Sequence, residues 1–181
     1  ESGITQWFIN HLKKEDIVFD LGACFGYYSA LAIEICSETE IHLFEPNWQN
    51  LLYLEKNFIY NIQRKNKWTI NKKFAGSKTN SLTISLDDYC ERAGKTPTLL
   101  KMDVDGGEWD VMNGATALIE KRKTEFLIEL HPWLLNLKGV TVDDFLKLFP
   151  NDYCIKMLPD LHKNNGLWSD DITLLNNPGW D

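Results

Sequence analysis

After a short apolar run, the chain reads Asp20-Leu21-Gly22-Ala23-Cys24-Phe25-Gly26, an acid set beside an Asp-x-Gly-x-x-x-Gly loop that leads into a helical pattern. Glycines at this spacing allow a tight turn and let a ligand approach the backbone closely. The spacing is not the Gly-x-Gly-x-x-Gly of dinucleotide sites, where a pyrophosphate rests on a helix N-terminus, and an acid beside the loop repels phosphate. Asp20 suits a ligand with a positive centre, such as an ammonium or a sulfonium. Glu45 follows Gly26 by 19 residues, at the end of a second apolar run. A carboxylate there can accept hydrogen bonds from two ribose hydroxyls. The two acids together describe an adenosyl ligand without phosphate, for which S-adenosylmethionine is the expected identity.

A second group of chemically capable residues follows two later apolar runs. Asp103, Asp105 and Glu108 come after Thr98 to Val104 (TLLKMDV), and Glu129 and His131 come at the end of Glu125 to Leu130 (EFLIEL). Methyl transfer is an in-line displacement at a sulfonium carbon. The protein has mainly to align the nucleophile and, for an alcohol, to take its proton. His131 or Asp105 is the expected general base, with Glu129 orienting the substrate or that base. Plainer readings stand beside these. Asp105 and Glu108 have the spacing of a capping box, and acids are favoured at a helix start whatever else they do. His131 before Pro132 also fits a residue that merely ends a strand. Asp87 and Asp88 read as acids of another helix start. No resident metal is expected, because the spacing of the rim acids does not by itself show convergence on an ion.

The elements that must position these residues follow from periodicity. Ile17 to Gly22, Ile41 to Phe44, Thr98 to Val104 and Glu125 to Leu130 are short apolar runs ending in polar residues, as buried parallel strands do. Trp68 to Ala75 is a weaker strand, and Ser81 to Leu86 alternates like an exposed one. Helical patterns cover Tyr27 to Cys36, the stretch from Leu51 to Ile62, about Glu108 to Lys121, and Thr141 to Phe149. A further helix opens at Ser85 and Asp88 and ends near Gly94. Tyr153 to Leu158 and Ile172 to Leu175, separated by an Asn-Asn-Gly turn, are expected to pair antiparallel. The whole predicts an α/β fold, a doubly wound, mostly parallel seven-stranded sheet with a C-terminal antiparallel hairpin. Ligands of such sheets bind beyond the carboxyl ends of the strands, where the polar residues above would cluster.

Length and charge narrow the function classes. At 181 residues the chain is expected to form one domain, 1–181, around one core. Its 19 basic and 26 acidic residues give a net charge of −7, which disfavours a general nucleic-acid surface. Arg64, Lys65, Lys67, Lys72 and Lys73, with Trp68 among them, read as a solvated basic face. No nucleic-acid or membrane partner is expected. The four cysteines form no Cys-x-x-Cys pair, which fits a reducing compartment and a cytoplasmic location. The opening at Glu1, with no methionine and no signal-like segment, is expected of a fragment or trimmed chain. Trp133, His162 and Trp168 fall in or beside post-strand loops and suit stacking on a sugar or aromatic acceptor, or equally core packing or a subunit contact.

The segments VFDLGACFGYYS, LFEPNWQNLLYLEKNF, SLDDYC, LLKMDVDGGEWDVMNGA and FLIELHP, in order from about Ile17 to Pro132, resemble the FkbM family of methyltransferases. The resemblance implies a Rossmann-like class I methyltransferase fold, S-adenosylmethionine as methyl donor, and O-methylation of a small-molecule or carbohydrate hydroxyl. By motif position it implies that Asp20, Gly22 and Gly26 line the methionine part of the donor, with Ala23, Tyr28 and Ser29 also among the cofactor-binding residues. It has Glu45 hold the ribose and Asp103 face the donor near the reaction centre, and it counts Pro46 and Gly76 among the cofactor-binding residues. The chain departs from the family pattern at three places. Cys24 stands where an Asn is frequent, Gly76-Ser77 where many members have Gly-Asp, and Val104-Asp105-Gly106-Gly107-Glu108 where Val-Glu-Gly-Ala-Glu is usual. The acceptor pocket is expected from the loops after the fourth and fifth strands and from Pro159 to Asp170, and a second copy of the chain in a homo-oligomer would help close it. Two rival classes remain at this point, a nucleotide-dependent oxidoreductase on a similar sheet and a non-catalytic module that keeps only the cofactor pocket.

Overall fold

The computed structural model describes residues 2–61, 68–156 and 158. The chain divides into two compact units, residues 12–130 and residues 1–11 with 131–181.

The larger unit is built on strands whose residues are almost wholly buried. These are β1 (Ile17–Leu21), β2 (Glu40–Phe44) and, later in the chain, β6 (Leu99–Met102). Continuous burial on both faces is what a parallel strand between helical layers requires, and it explains why these runs are apolar without alternation. With the edge strands β3 (Trp68–Asn71) and β7 (Glu125–Ile128) they form a five-stranded sheet in the order β3-β2-β1-β6-β7. Every pairing in it is parallel. A separate two-stranded parallel pair is made by β4 (Phe74–Ala75) and β5 (Thr83–Ile84). The expected strand Trp68 to Ala75 is thus two strands in two sheets.

Side-chain alternation assigns the helices to the two faces. Asp20 and its register partner Lys101 lie on the face covered by α2 (Tyr27–Ile35), since Asp20 meets Ser29 and Lys101 meets Tyr28. Phe19 and its partner His42 lie on the opposite face, where both pack against Tyr89 of α4 (Leu86–Ala93). The helix α3 (Trp48–Lys56) runs on into a single π turn, Asn57–Asn61, and buries Leu51, Leu54 and Phe58. Helices on both faces of a parallel sheet make the doubly wound architecture. The direction of strand addition reverses between β1 and β6, so the topological switch point lies beside Asp20.

The helix expected from Glu108 to Lys121 is divided into α5 (Glu108–Asn113) and α6 (Thr116–Glu120). Gly114 sits at the break, where a Cβ would collide with the carbonyl oxygen of Gly76. The Asp87 carboxylate caps the new helix start by accepting from Ala117 N and Leu118 N, both at 2.9 Å. The structural reading of Asp87 therefore holds, but for a helix other than its own.

In the second unit, α1 (Ser2–His11), α7 (Pro132–Leu137) and α8 (Val142–Leu146) are helical. The expected capping box at Thr141 and Asp144 is formed, with both reciprocal bonds present. The hairpin is not found among the described residues. Of Tyr153 to Leu158 the described positions are not in a strand, and Ile172 to Leu175 lies outside the described residues, as do Pro159 to Asp170, His162 and Trp168. Among the described residues the sheet has five strands. All four cysteines are free, and no described helix is long and apolar enough to cross a membrane.

Candidate functional site

The candidate site is built from the strand ends at the switch point. The loop after β1 is tied to β2 by Gly22 N and Ala23 N, which both donate to Phe44 O at 3.0 and 3.1 Å. Gly22 adopts φ +72, and a Cβ there would collide with the carbonyl oxygen of Asp103. Only glycine allows this turn to lie directly on the end of β6. Gly26, at φ +85, is the N-cap of α2.

Glu45 is 4% exposed, and its two oxygens are held by the backbone. Oε2 accepts from Cys24 N at 2.9 Å and Oε1 from Asn47 N at 2.8 Å. This single side chain thereby fixes the glycine loop and the entry to α3, where Asn47 in turn caps the helix by accepting from Gln49 N. Each carboxylate oxygen has a second lone-pair direction, so the orientation that satisfies the two amides leaves acceptor capacity for two hydroxyls. Pro46 follows at intermediate exposure.

Asp20 is 1% exposed. Its Oδ2 accepts from Ser29 Oγ at 2.6 Å, and its Oδ1 has no hydrogen bond and lies 3.8 Å from Lys101 Nζ. Lys101 is itself 7% exposed, stands 3.8 Å from Asp103 Oδ2, and has the Tyr28 ring 5.3 Å away. A buried carboxylate and a buried ammonium are tolerable only as a pair. Lys101 was not singled out from the sequence, because it sits inside the run TLLKM and passes for part of a buried strand. The available signal was the lysine itself, an unlikely occupant of a strand enclosed on both faces.

Cys24 reports that these groups share one neighbourhood. Partial burial, the largest cause, pushes its thiol above the usual range. Glu45 and Asp103 add to the rise, while Lys101 and a backbone bond at Phe25 oppose it. The loop after β6 has two consecutive left-handed residues, Asp105 at φ 47 and Gly106 at φ 87. The expected capping box at Asp105 and Glu108 is not what forms, since Gly107 is the N-cap of α5 and makes no side-chain cap bond. Glu108, fully buried, reaches back so that Oε1 accepts from Gly106 N at 3.0 Å. Asp105 is left exposed.

At the neighbouring strand end Glu129 N donates to Met102 O at 2.9 Å, which extends the β6 to β7 ladder by one residue. Carboxylate oxygens of Glu129 and Asp103 approach within 4.8 Å. His131 belongs to the other unit and is the N-cap residue of α7, with Pro132 in its first turn. Its side chain makes no cap bond, while its carbonyl accepts from Leu134 N and Leu135 N. Gly76 follows β4, donates its N–H to Ile84 O at 3.0 Å, and packs its own carbonyl against Gly114. Ala23 is buried, and Tyr28 is half-buried.

Comparison with solved structures shows the same fold. A methyltransferase FkbM from Methylobacillus flagellatus KT superposes with a TM-score of 0.56 at 22% identity, over 76% of this chain and 38% of that one. The chain thus spans well under half the length of that protein. An rRNA methylase from Streptococcus thermophilus gives 0.50 at 11% identity, over 75% and 74% of the two chains. A magnesium protoporphyrin IX methyltransferase from Synechocystis PCC 6803, solved with bound SAM, gives 0.51 at 9% identity, over 81% and 64%. No curated protein matches the chain. The methyltransferase FkbM domain family matches residues 64–154, which is 91 of the 181 residues and begins after Glu45. With a parallel sheet whose acids gather at the switch point, and with that match over half its length, the chain belongs to the FkbM methyltransferase family.

Proposed function

We propose that the chain, acting as one methyltransferase domain over 1–181, transfers a methyl group from S-adenosylmethionine to a hydroxyl oxygen of a small molecule or sugar. The observation that carries this reading is Glu45, a carboxylate at the end of β2 whose direction is set by two backbone amides. The donor set fits the cofactor. It combines a buried carboxylate oxygen without a hydrogen bond at Asp20, a turn at Gly22 that admits no side chain, and acids where a phosphate ligand would need cations. The same balance argues against the dinucleotide-dependent oxidoreductase.

Glu45 would hold the ribose, Asp20, Gly22, Ala23, Gly26, Tyr28 and Ser29 the methionine part, Pro46 and Gly76 the adenosine side, and Asp103 the region of transfer. When bound, the cofactor supplies an electrophilic methyl on a sulfonium, already a good leaving group. What remains for the protein is to hold the acceptor oxygen in line and to take its proton. Asp105, Glu129 and His131, which follow β6 and β7 in the chain, are assigned that work, with His131 or Asp105 as base and Glu129 orienting. Asp105 is exposed on a loop held by the Glu108 to Gly106 bond, so its carboxylate is accessible to a proton donor.

The acceptor class rests on the family resemblance and on the net charge of −7, which disfavours RNA. The test is a methyl-transfer assay with isotopically labelled donor against sugar, polyketide and RNA acceptors. Labelled ether product from a hydroxyl acceptor is expected. Replacing Asp105, Glu129 and His131 in turn, by alanine or the amide, should cut turnover at least about tenfold while leaving donor affinity nearly intact. Label found only in RNA, or unchanged turnover in all three variants, overturns the reading.

A further inference from the structure

We propose that Lys101 is a positioning residue which, by offsetting one of the two carboxylates beside it, sets how strongly the site prefers the sulfonium methyl donor over its thioether product, which has no charge at sulfur. The inference rests on the donor reading above.

Lys101 has no packing reason to be where it is. Its strand neighbours Leu99, Leu100 and Met102 are all buried and apolar. Burying an ammonium there is costly unless its charge is used. It stands 3.8 Å from Asp20 Oδ1 and 3.8 Å from Asp103 Oδ2, at the switch point where a ligand is held. The charged and titratable groups around it are Asp20 of β1, Tyr28 of α2, Cys24 and Glu45 at the loops after β1 and β2, and Asp103 and Glu129 at the ends of β6 and β7.

Taken by themselves, Asp20, Asp103 and Lys101 sum to one formal negative charge, opposite in sign to the sulfonium, which is the one charge that the donor has and the product lacks. Methyl transfer turns that sulfonium into a neutral thioether, so this attraction exists for the donor and not for the product. Without Lys101 the same pair of acids would carry two negative charges. Attraction for a cation would rise while binding of the thioether, which has no charge at sulfur, would change far less. Lys101 therefore moderates the preference.

The experiment is calorimetric titration of the full chain with S-adenosylmethionine and with S-adenosylhomocysteine at low salt and about pH 8.5, well above ordinary carboxyl pKa values. The readout is the ratio of the two dissociation constants, product over donor. Lys101→Met should raise this ratio at least about threefold, and Lys101→Arg, which keeps the charge, should restore it. Asp103→Asn, a rim substitution independent of whether Lys101→Met folds, should lower it by a similar factor. Ratios in Lys101→Met or Asp103→Asn equal to wild type overturn the role of Lys101 and leave the donor reading standing. Failure of the unaltered chain to bind either compound overturns the donor reading and this inference with it.

Discussion

Replacing Glu45 by glutamine tests whether this carboxylate organises the site before any ligand arrives. The wild-type side chain accepts from Cys24 N at 2.9 Å and from Asn47 N at 2.8 Å, one bond on each oxygen. Glutamine keeps one acceptor oxygen and turns an amide NH₂ toward the other N–H. One backbone donor then loses its partner, at about 1–3 kcal/mol, and the surviving bond loses its charge assistance, at about 0.5–1.5 kcal/mol. Both donors are part-buried, so values in the lower half of these ranges apply and the expected loss is about 2 kcal/mol. For a chain of this size that corresponds to a fall in Tm of roughly 4–8 °C. Thermal and urea melts of Glu45→Gln without added ligand measure it. Glu38→Gln serves as control, since it removes only an exposed ion pair to Lys14 and should shift Tm by about 1 °C or less. Equal melting of Glu45→Gln and wild type would refute the idea that Glu45 ties the glycine loop to α3.

Asp87→Ala removes the acceptor for Ala117 N and Leu118 N and should cost about 1–2 kcal/mol in urea unfolding, with Asp87→Asn recovering part of it. His42 is buried between Tyr89 and Glu40, and burial, the largest cause, lowers its pKa from 6.5 despite Glu40. The unfolded chain then takes up the proton first, so this contribution is present above pH 6.5 and is lost as pH falls below it. Unfolding free energy should decline from pH 7 toward pH 5.5 more steeply in wild type than in His42→Gln, and parallel curves would count against it. Cys90 is buried and its thiol is pushed up to about 11, whereas Cys24 and Cys154 are exposed. Mass spectrometry after brief alkylation near neutral pH should therefore find Cys154 modified, Cys24 modified more slowly because its thiol is also raised, and Cys90 protected until the chain unfolds.

Strand ends were the legible part of this molecule. Runs such as IVFDL and EIHLF are mostly apolar because both faces of a parallel strand are covered, and the polar residues at or just beyond their C-terminal ends lie at the edge where such sheets bind ligands. Asp20, Gly22 and Glu45 were found that way, and the structure brings their loops together through Phe44 O, Cys24 N and the Asp103 carbonyl. What stayed hidden depends on contacts between distant segments. The break at Gly114 exists because Gly76 approaches from another strand, and local periodicity has no access to that. The Asp105 and Glu108 spacing matched a capping box, yet two left-handed residues in the loop moved the helix start to Gly107. Lys101 was concealed by the apolar company it keeps, and α1 and α7 were not read from the sequence at all.

The most direct measurement is calorimetric titration of the unaltered chain and of Glu45→Ala with S-adenosylhomocysteine, with NAD as the comparison ligand. One-to-one binding of the adenosyl compound by wild type, at least about tenfold weaker binding by Glu45→Ala, and no heat with NAD are the predicted results. Equal affinity in the two proteins, or binding of NAD in place of S-adenosylhomocysteine, would contradict the assignment of the switch-point acids to a phosphate-free adenosyl ligand.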